Sequence, residues 1–350
     1  MGLRILHTAD WHMDSPFSGF PPEQRARLRN EQRKLPGKIA RLVRRESCDL
    51  VLISGDVFDS PDARESVPLV RQALAECAVP VLIAPGNHDY LSSSSPWLRE
   101  TWPENVHVFA PGLSGVDIPK LNCRVYGAGY RGAECLGLLE NFRAEGEARY
   151  QLMVLHGDPQ RTHSPYCPIT GAQVRNSGLT YLALGHIHKS GSFSAGETLC
   201  GWPGCPMGRG YDETGEKGVY IVDIDGAASI RFVSLDTPRF YDLEVDAGEL
   251  ESILPPVESM DFYRVTLRGT GEGCVEDWKD RFPWLPHLEI IDQRREQEDI
   301  WSRIGEDTLE GVYFRLLRQK LDQADPAEGE KILLAAEISR KILDGREVAL

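Results

Sequence analysis

No stretch of this 350-residue chain approaches the roughly 18–20 consecutive apolar residues that a membrane-spanning helix needs. Its mean hydropathy is −0.33. The opening residues, MGLRILHTAD, lack the long apolar stretch and the small-residue cleavage site of a secretory leader. They read as a first β-strand, and a cytoplasmic protein with no membrane attachment is expected. The eight cysteines contain no CxxC pair. They are expected to be reduced and mostly buried, and Cys200 with Cys205, lacking a second pair, does not make a thiolate metal site. No internal repeat or low-complexity tract is present. A composition of 41% hydrophobic, 26% charged and 8% aromatic residues excludes disordered, collagen-like and coiled-coil chains.

Positive charge is also scarce. The net charge is −14, with 27 acidic and 15 basic residues from Asp236 onward, against 26 and 24 before it. A self-sufficient nucleic-acid binder is usually basic, so the acidic C-terminal third speaks against one. The nearly neutral first two thirds do not. Arg25–Arg45 holds nine basic residues and one acid, Glu31. It reads either as a solvated helix face or as a phosphate-backbone contact.

What is present is an alternation of strands and helices. Leu3–Ala9, Asp49–Phe58 and Val79–Ala84 are predicted strands; Arg25–Arg45 and Ser66–Cys77 are predicted helices, the first broken or kinked at Pro36. Strands then dominate: Val106–Ala110, Cys123–Tyr130, Tyr150–Leu155, Tyr181–Leu184, Gly218–Asp223 and Ser229–Leu235. The expected fold is layered α/β, two sheets packed face to face with helices outside. Near Thr237–Pro238 the pattern shifts. Tyr241–Val245, Asp261–Arg268 and His287–Asp292 read as strands, and Gly248–Leu254 and Cys274–Arg281 as helices, of a small α+β domain. Two helices follow, the first with Leu309, Val312, Leu316 and Leu317 in register, the second opened by Asp325-Pro326 and closed at Gly345. The expected domains are residues 1–237, a small domain over 238–300, and a helical hairpin over 301–350.

Five clusters of metal-ligand residue types each follow an apolar strand. They are Asp10-Trp11-His12, Gly55-Asp56-Val57-Phe58-Asp59, Gly86-Asn87-His88-Asp89, His156-Gly157 and Gly185-His186-Ile187-His188. Five of the nine histidines lie in them; His7, His107, His163 and His287 read as ordinary core or surface residues. With average residue usage a given tetrapeptide such as GNHD arises about once in 10⁵ positions. Carboxylates, imidazoles and an amide oxygen without thiolate suit Mn²⁺, Fe²⁺ or Zn²⁺. The donors are too many for one ion. Two ions about 3.5–4 Å apart, sharing a carboxylate, would use them for attack on a phosphorus centre.

The order DxH, GDxxD, GNHD, H, GHxH resembles the calcineurin-like metallophosphoesterase superfamily over about residues 1–235. The resemblance implies that Asp10, His12 and His188 hold one ion, that Asn87, His156 and His186 hold the other, and that Asp56 bridges them. It implies that His88 contacts the scissile phosphate and protonates the leaving oxygen, with Asp59 holding its ring; Asp89 reads as a loop cap. Asp14-Ser15-Pro16-Phe17, Trp202–Arg209 and Thr214–Gly218 narrow the resemblance to DNA repair exonucleases of the SbcD type, nearest the YhaO-like bacterial branch. Those relatives have a phosphoesterase domain, a capping domain and a helical hairpin that binds an SMC-like ATPase. A departure is Cys205, where they more often carry a small polar residue or Asn. The resemblance thus implies a Mn²⁺-dependent DNA exonuclease with an ATPase partner of the SbcC type, and a homodimer. Trp11, Phe17 and Arg209 are the candidate substrate contacts, the aromatics as packing residues or base-stacking platforms. The rival readings are a phosphoesterase for small molecules or phosphoproteins and a non-catalytic scaffold.

Overall fold

The computed structural model describes residues 2–269, 280–294 and 300–343. Two six-stranded sheets face each other. The first has the order β12-β11-β1-β2-β3-β4, from Ala227–Ser234, Gly218–Asp225, Leu3–Thr8, Leu50–Ile53, Val81–Ile83 and Val106–Val108. The second has the order β5-β6-β7-β8-β10-β9, from Ser114–Ile118, Cys123–Gly127, Tyr150–His156, Tyr181–Gly185, Thr198–Trp202 and Gly191–Ala195. β1, β2, β3 and β4 run parallel, as do β6, β7, β8 and β10.

Strict alternation along the strands divides the apolar side chains between two layers. Ile5, Leu50, Leu52 and Leu82 face the second sheet and meet Val125, Leu152, Val154 and Ala183. Leu6, Val51, Ile53, Val81 and Ile83 face outward onto α1 (Pro22–Arg45) and α2 (Val67–Glu76). Both faces are covered, which is why these strands read as unbroken apolar runs rather than as alternating ones.

α1 is continuous through Pro36, contrary to the expected break. A proline inside a helix costs about 3 kcal/mol. Leu28, Leu35, Ile39, Ala40, Leu42 and Val43 are buried along the same face, and each large one contributes about 1.5–3 kcal/mol, which outweighs the lost bond. The strand expected over Asp49–Phe58 ends at Ile53. Beyond it Gly55 and Asp56 take φ of 84° and 50°, so the chain leaves the pleat. The loop after β1 pairs with it instead: Asp10 N–H donates to Gly55 O at 3.0 Å and His12 N–H to Asp56 O at 2.9 Å.

A three-stranded sheet of order β13-β14-β15 follows, from Phe240–Asp246, Phe262–Arg268 and Leu288–Asp292. Phe240 and Phe262 stack at 4.8 Å, as do Phe262 and His287 at 4.3 Å. The short helix expected over Gly248–Leu254 is present at Leu250–Ile253, preceded by a turn of 3₁₀-helix. The helix expected over Cys274–Arg281 falls mostly outside the described residues, as does the end at Gly345. Contacts divide the chain into one unit of Met1–Glu244, Pro255–Thr266 and Lys279–Ile291 and a second of the remainder. In the second unit helices Leu309–Leu321 and Pro326–Leu343 pair, Tyr313 Oη lying 2.8 Å from Ser339 Oγ. Phe314 is buried there against Trp301. No described helix is long and apolar enough to cross a membrane.

His7 is a core histidine, held between Tyr181 Oη at 2.7 Å and Ser54 Oγ at 2.9 Å. Burial lowers its pKa from 6.5 to about 3. The unfolded chain therefore binds a proton that the folded chain rejects, and this site's contribution to stability falls as pH drops through that window. A single such proton gives a slope of about 1.4 kcal/mol per pH unit. In urea unfolding across the window, His7→Gln is expected to be flatter than wild type by that slope; equal slopes would refute the assignment.

Candidate metal centre

The parallel strands β1, β2, β3, β7 and β8 all deliver their C-terminal ends to one edge of the sandwich, the usual place for a ligand in open α/β sheets. Asp10 and His12 follow β1, Asp56 follows β2, and Asn87 and His88 follow β3. His156 ends β7, while His186 and His188 follow β8. Asp10, His12, Asp56 and His186 all take left-handed backbone, with φ of 55°, 46°, 50° and 88°. Such conformations cost about 1–3 kcal/mol each, and four of them gather at this one edge. Gly86 is required by closeness: a Cβ there would lie under 3 Å from Asp56 and from the His156 ring.

Three imidazoles are turned the same way. His12 Nδ1 lies 3.0 Å from Asp59 Oδ1, His188 Nδ1 2.6 Å from Glu213 Oε1, and His156 Nδ1 2.8 Å from Ser54 O. These oxygens only accept, so each Nδ1 donates, and in the neutral ring each Nε2 presents its lone pair inward. His12 Nε2 and His188 Nε2 then face one another at 3.2 Å, an arrangement that two neutral imidazoles cannot satisfy by hydrogen bonding. Asp10 places a carboxylate oxygen within 4.8 Å of both, and Asp10, Asp56 and His156 form a second such group. His156 Nε2 is 2.8 Å from Asn87 Oδ1 and 3.3 Å from Asp56 Oδ2. Converging, buried oxygen and nitrogen donors fit divalent cations. Burial alone would strip the proton from His156, yet the carboxylates of Asp56 and Asp10 raise its pKa to about 9: without a metal, a proton takes the cation's place. His186, lowered to about 4 by burial and by His156, packs against His156 and Tyr166 at 5.2 and 4.6 Å.

Around this centre the structure redistributes several expected roles. The Asp59 carboxylate lies 3.9 Å from His88 Nδ1 and makes its shorter contacts elsewhere. That group serves His12 and Arg209, at 3.0 and 3.2 Å, while His88 Nδ1 reaches the Asp59 main-chain oxygen at 3.2 Å. Trp11, expected among substrate contacts, is buried, with Nε1 donating to Thr8 Oγ1 at 2.8 Å; its ring belongs to the core. Phe17 and Arg209 line a groove of about 750 Å³ with Phe20, His88, Tyr211 and Arg264.

One acid gains a role the sequence did not announce, and a second extends the role it did. Glu213 accepts from Arg209 Nη2 at 2.8 Å and from His188. Although burial works against it, those two partners hold its carboxyl well below the usual range. Its only sequence signal is its position four residues after Arg209. Asp89 is a loop cap of unusual reach. It is fully buried and accepts from Gly86 N–H at 2.7 Å, Val57 N–H at 2.9 Å and Trp97 Nε1 at 3.1 Å, tying the β2 and β3 loops together.

The sequence profile of calcineurin-like phosphoesterases matches residues 3–190. The chain belongs to this family. It is 29% identical over 323 residues to the uncharacterized metallophosphoesterase YhaO of Bacillus subtilis, covering 85% of this chain and 78% of that protein. It is 26% identical over 266 residues to the SbcD component of the SbcCD nuclease of the same organism, covering 63% and 66%. It is 27% identical over 312 residues to the DNA double-strand break repair protein Mre11 of Aeropyrum pernix, covering 82% and 72%. The family uses divalent metals, and the chain is a metal-dependent phosphoesterase by membership.

Two outcomes test this centre. Adding Mn²⁺ at a hundred times its Kd should stabilise the chain by about 2.7 kcal/mol, read as a rise in Tm that Asp56→Asn abolishes. Asp89→Ala, by orphaning buried N–H groups, should cost about 3 kcal/mol or more in urea unfolding.

Proposed function

We propose that the protein is a two-metal phosphodiesterase that shortens DNA, the exonuclease component of a complex with an SMC-like ATPase. The observation that carries this reading is the facing pair of imidazole lone pairs beside buried carboxylates, opening onto a groove with two arginines. Relatives named as a nuclease component and a break-repair protein support DNA as the substrate.

In this reading Asp10, His12 and His188 hold one divalent ion, Asn87, His156 and His186 the other, and Asp56 both. When bound, the ions, Mn²⁺ in this proposal, supply Lewis acidity and charge neutralisation at the phosphate. The chain's own groups do the rest. His88 lines the groove with Nδ1 donating to the Asp59 carbonyl, so that in its doubly protonated form Nε2 would give the second proton to the leaving oxygen. Asp59 and Glu213 fix the tautomers of His12 and His188, as carboxylates commonly do behind metal-ligating histidines. Arg209, braced by both acids, offers its guanidinium to the phosphate.

The C-terminal helical pair is the proposed partner surface. Leu309, Leu316, Leu334 and Ile342 are all more than half exposed on it. With a C-terminal third of net −12, the partner supplies much of the grip on DNA.

The deciding experiment follows end-labelled linear DNA with Mn²⁺, with His88→Ala alongside. Wild type should shorten the DNA, and the variant should be slower by about 10²-fold or more. Rapid hydrolysis of a chromogenic monoester with DNA left intact would instead favour a small-molecule phosphoesterase. Leu316→Glu with Leu334→Glu should abolish co-elution with the ATPase while leaving Tm unchanged.

A further inference from the structure

Of the seven described cysteines, five are buried singly. Burial pushes the thiols of Cys48, Cys77 and Cys123 up to about 12, 11 and 12, as expected of inert core residues. Cys135 and Cys167 differ. They are 32 positions apart in the sequence, and the Cys135 thiol donates to Leu136 O at 3.3 Å. The backbone brings them together: Cys135 N–H donates to Pro165 O at 2.9 Å and Cys167 N–H donates to Cys135 O at 2.7 Å, around a bridge between Cys135 and Tyr166. A direct main-chain bond sets two Cα atoms at a separation of the same order as the roughly 4.4–6.8 Å that a disulfide spans. Cys135 is partly exposed and Cys167 is fully buried, so one sulfur meets solvent and the other waits behind it. The neighbouring Cys167 is the largest influence on the Cys135 thiol and lowers its pKa, the direction that favours an attacking thiol.

The pair lies beside the metal centre. Cys167 belongs to the loop that leaves β7 directly after His156. That loop is closed at its base by Asp158, whose N–H donates to Tyr166 O at 2.9 Å and whose carbonyl accepts from Ile169 N–H at 2.9 Å. Tyr166, next to Cys167, packs its ring on His186 at 4.6 Å.

We propose that Cys135 and Cys167 are a reversible redox couple, oxidised by a hydroperoxide to a disulfide that lowers the phosphoesterase activity. The Cys135 sulfur attacks a peroxide oxygen and the O–O bond breaks. The departing oxygen leaves as water, or as an alcohol, with the thiol proton, and Cys135 becomes a sulfenic acid. The Cys167 sulfur then attacks the Cys135 sulfur, the S–O bond breaks, and the hydroxide takes the Cys167 proton as water. Two thiols lose two electrons and the peroxide gains them. The S–S bond, about 2.05 Å, is shorter than any non-bonded approach of two sulfur atoms. It draws Cys167 and Tyr166 toward the Cys135 loop and withdraws the ring supporting His186.

The test uses the full chain, reduced and then exposed to hydrogen peroxide. After alkylation and proteolysis, mass mapping should show one new link joining the Cys135 and Cys167 peptides, two hydrogens lighter than their sum. Hydrolysis of bis(p-nitrophenyl) phosphate with Mn²⁺ should fall about tenfold, the scale of losing a residue that supports a metal ligand, and dithiothreitol should restore it. Cys135→Ser should form no link and keep its activity through the same treatment. Absence of the link overturns the couple. Equal inactivation of Cys135→Ser, or a link that leaves activity intact, overturns the switch. The activity arm rests on the phosphoesterase reading and the mapping arm does not: a link in a chain that hydrolyses nothing beforehand would overturn that reading and leave the couple standing.

Discussion

The structure depends on one electrostatic constraint: the imidazole nitrogens of His12 and His188 face each other with their lone pairs, among buried carboxylates that carry negative charge. Only positive charge between them makes this arrangement favourable. Everything nearby serves to hold it. Asp59, Glu213 and the Ser54 carbonyl each capture an Nδ1 proton and so aim an Nε2 inward. Asp10 and Asp56 do two tasks, since their carboxylates also accept from the main chain of His186 and His88 at 3.0 and 2.8 Å. Loss of either acid would unseat a neighbouring loop as well as remove a charge.

The local cost of this geometry is met by the sandwich beneath it. Four donor-bearing residues hold left-handed backbone, an unfavourable sum that isolated loops would relax. They cannot relax here, because each loop begins where a doubly covered strand ends and because Asp89 binds two of the loops from below. The site is rigid because its supports are core residues and buried hydrogen bonds.

The ligand clusters were legible in the sequence because each combines an apolar run with residues rarely found together, and the two-sheet α/β core was legible from the strands that carry them. The strands Ser114–Ile118, Gly191–Ala195 and Thr198–Trp202, the first two at the sheet edges, were not, since GSFSA and TLCGW are short, glycine-bearing and without clear alternation. Pro36 misled because helix propensity is a local preference and the packing of α1 is not local. The division of labour around Asp59 was hidden for a related reason. A carboxylate within reach of two histidines and an arginine is assigned by angles and distances that no spacing encodes. Glu213 acts through buried hydrogen bonds that nothing in its neighbouring residues marks, whereas Asp89 was read as a loop cap and only its reach was hidden.

The proposed donors come from both sheets: Asp10, Asp56 and Asn87 from the first, His156, His186 and His188 from the second. Any ion seated among them is a rivet through the two layers. Shearing one sheet past the other would first have to eject it. The loaded chain therefore resists unfolding on a timescale set by ion escape. With an ion so held, the lifetime of the protein, including its resistance to proteases that need an opened chain, would become a function of metal supply. A cell starved of that metal would lose the polypeptide as well as its activity.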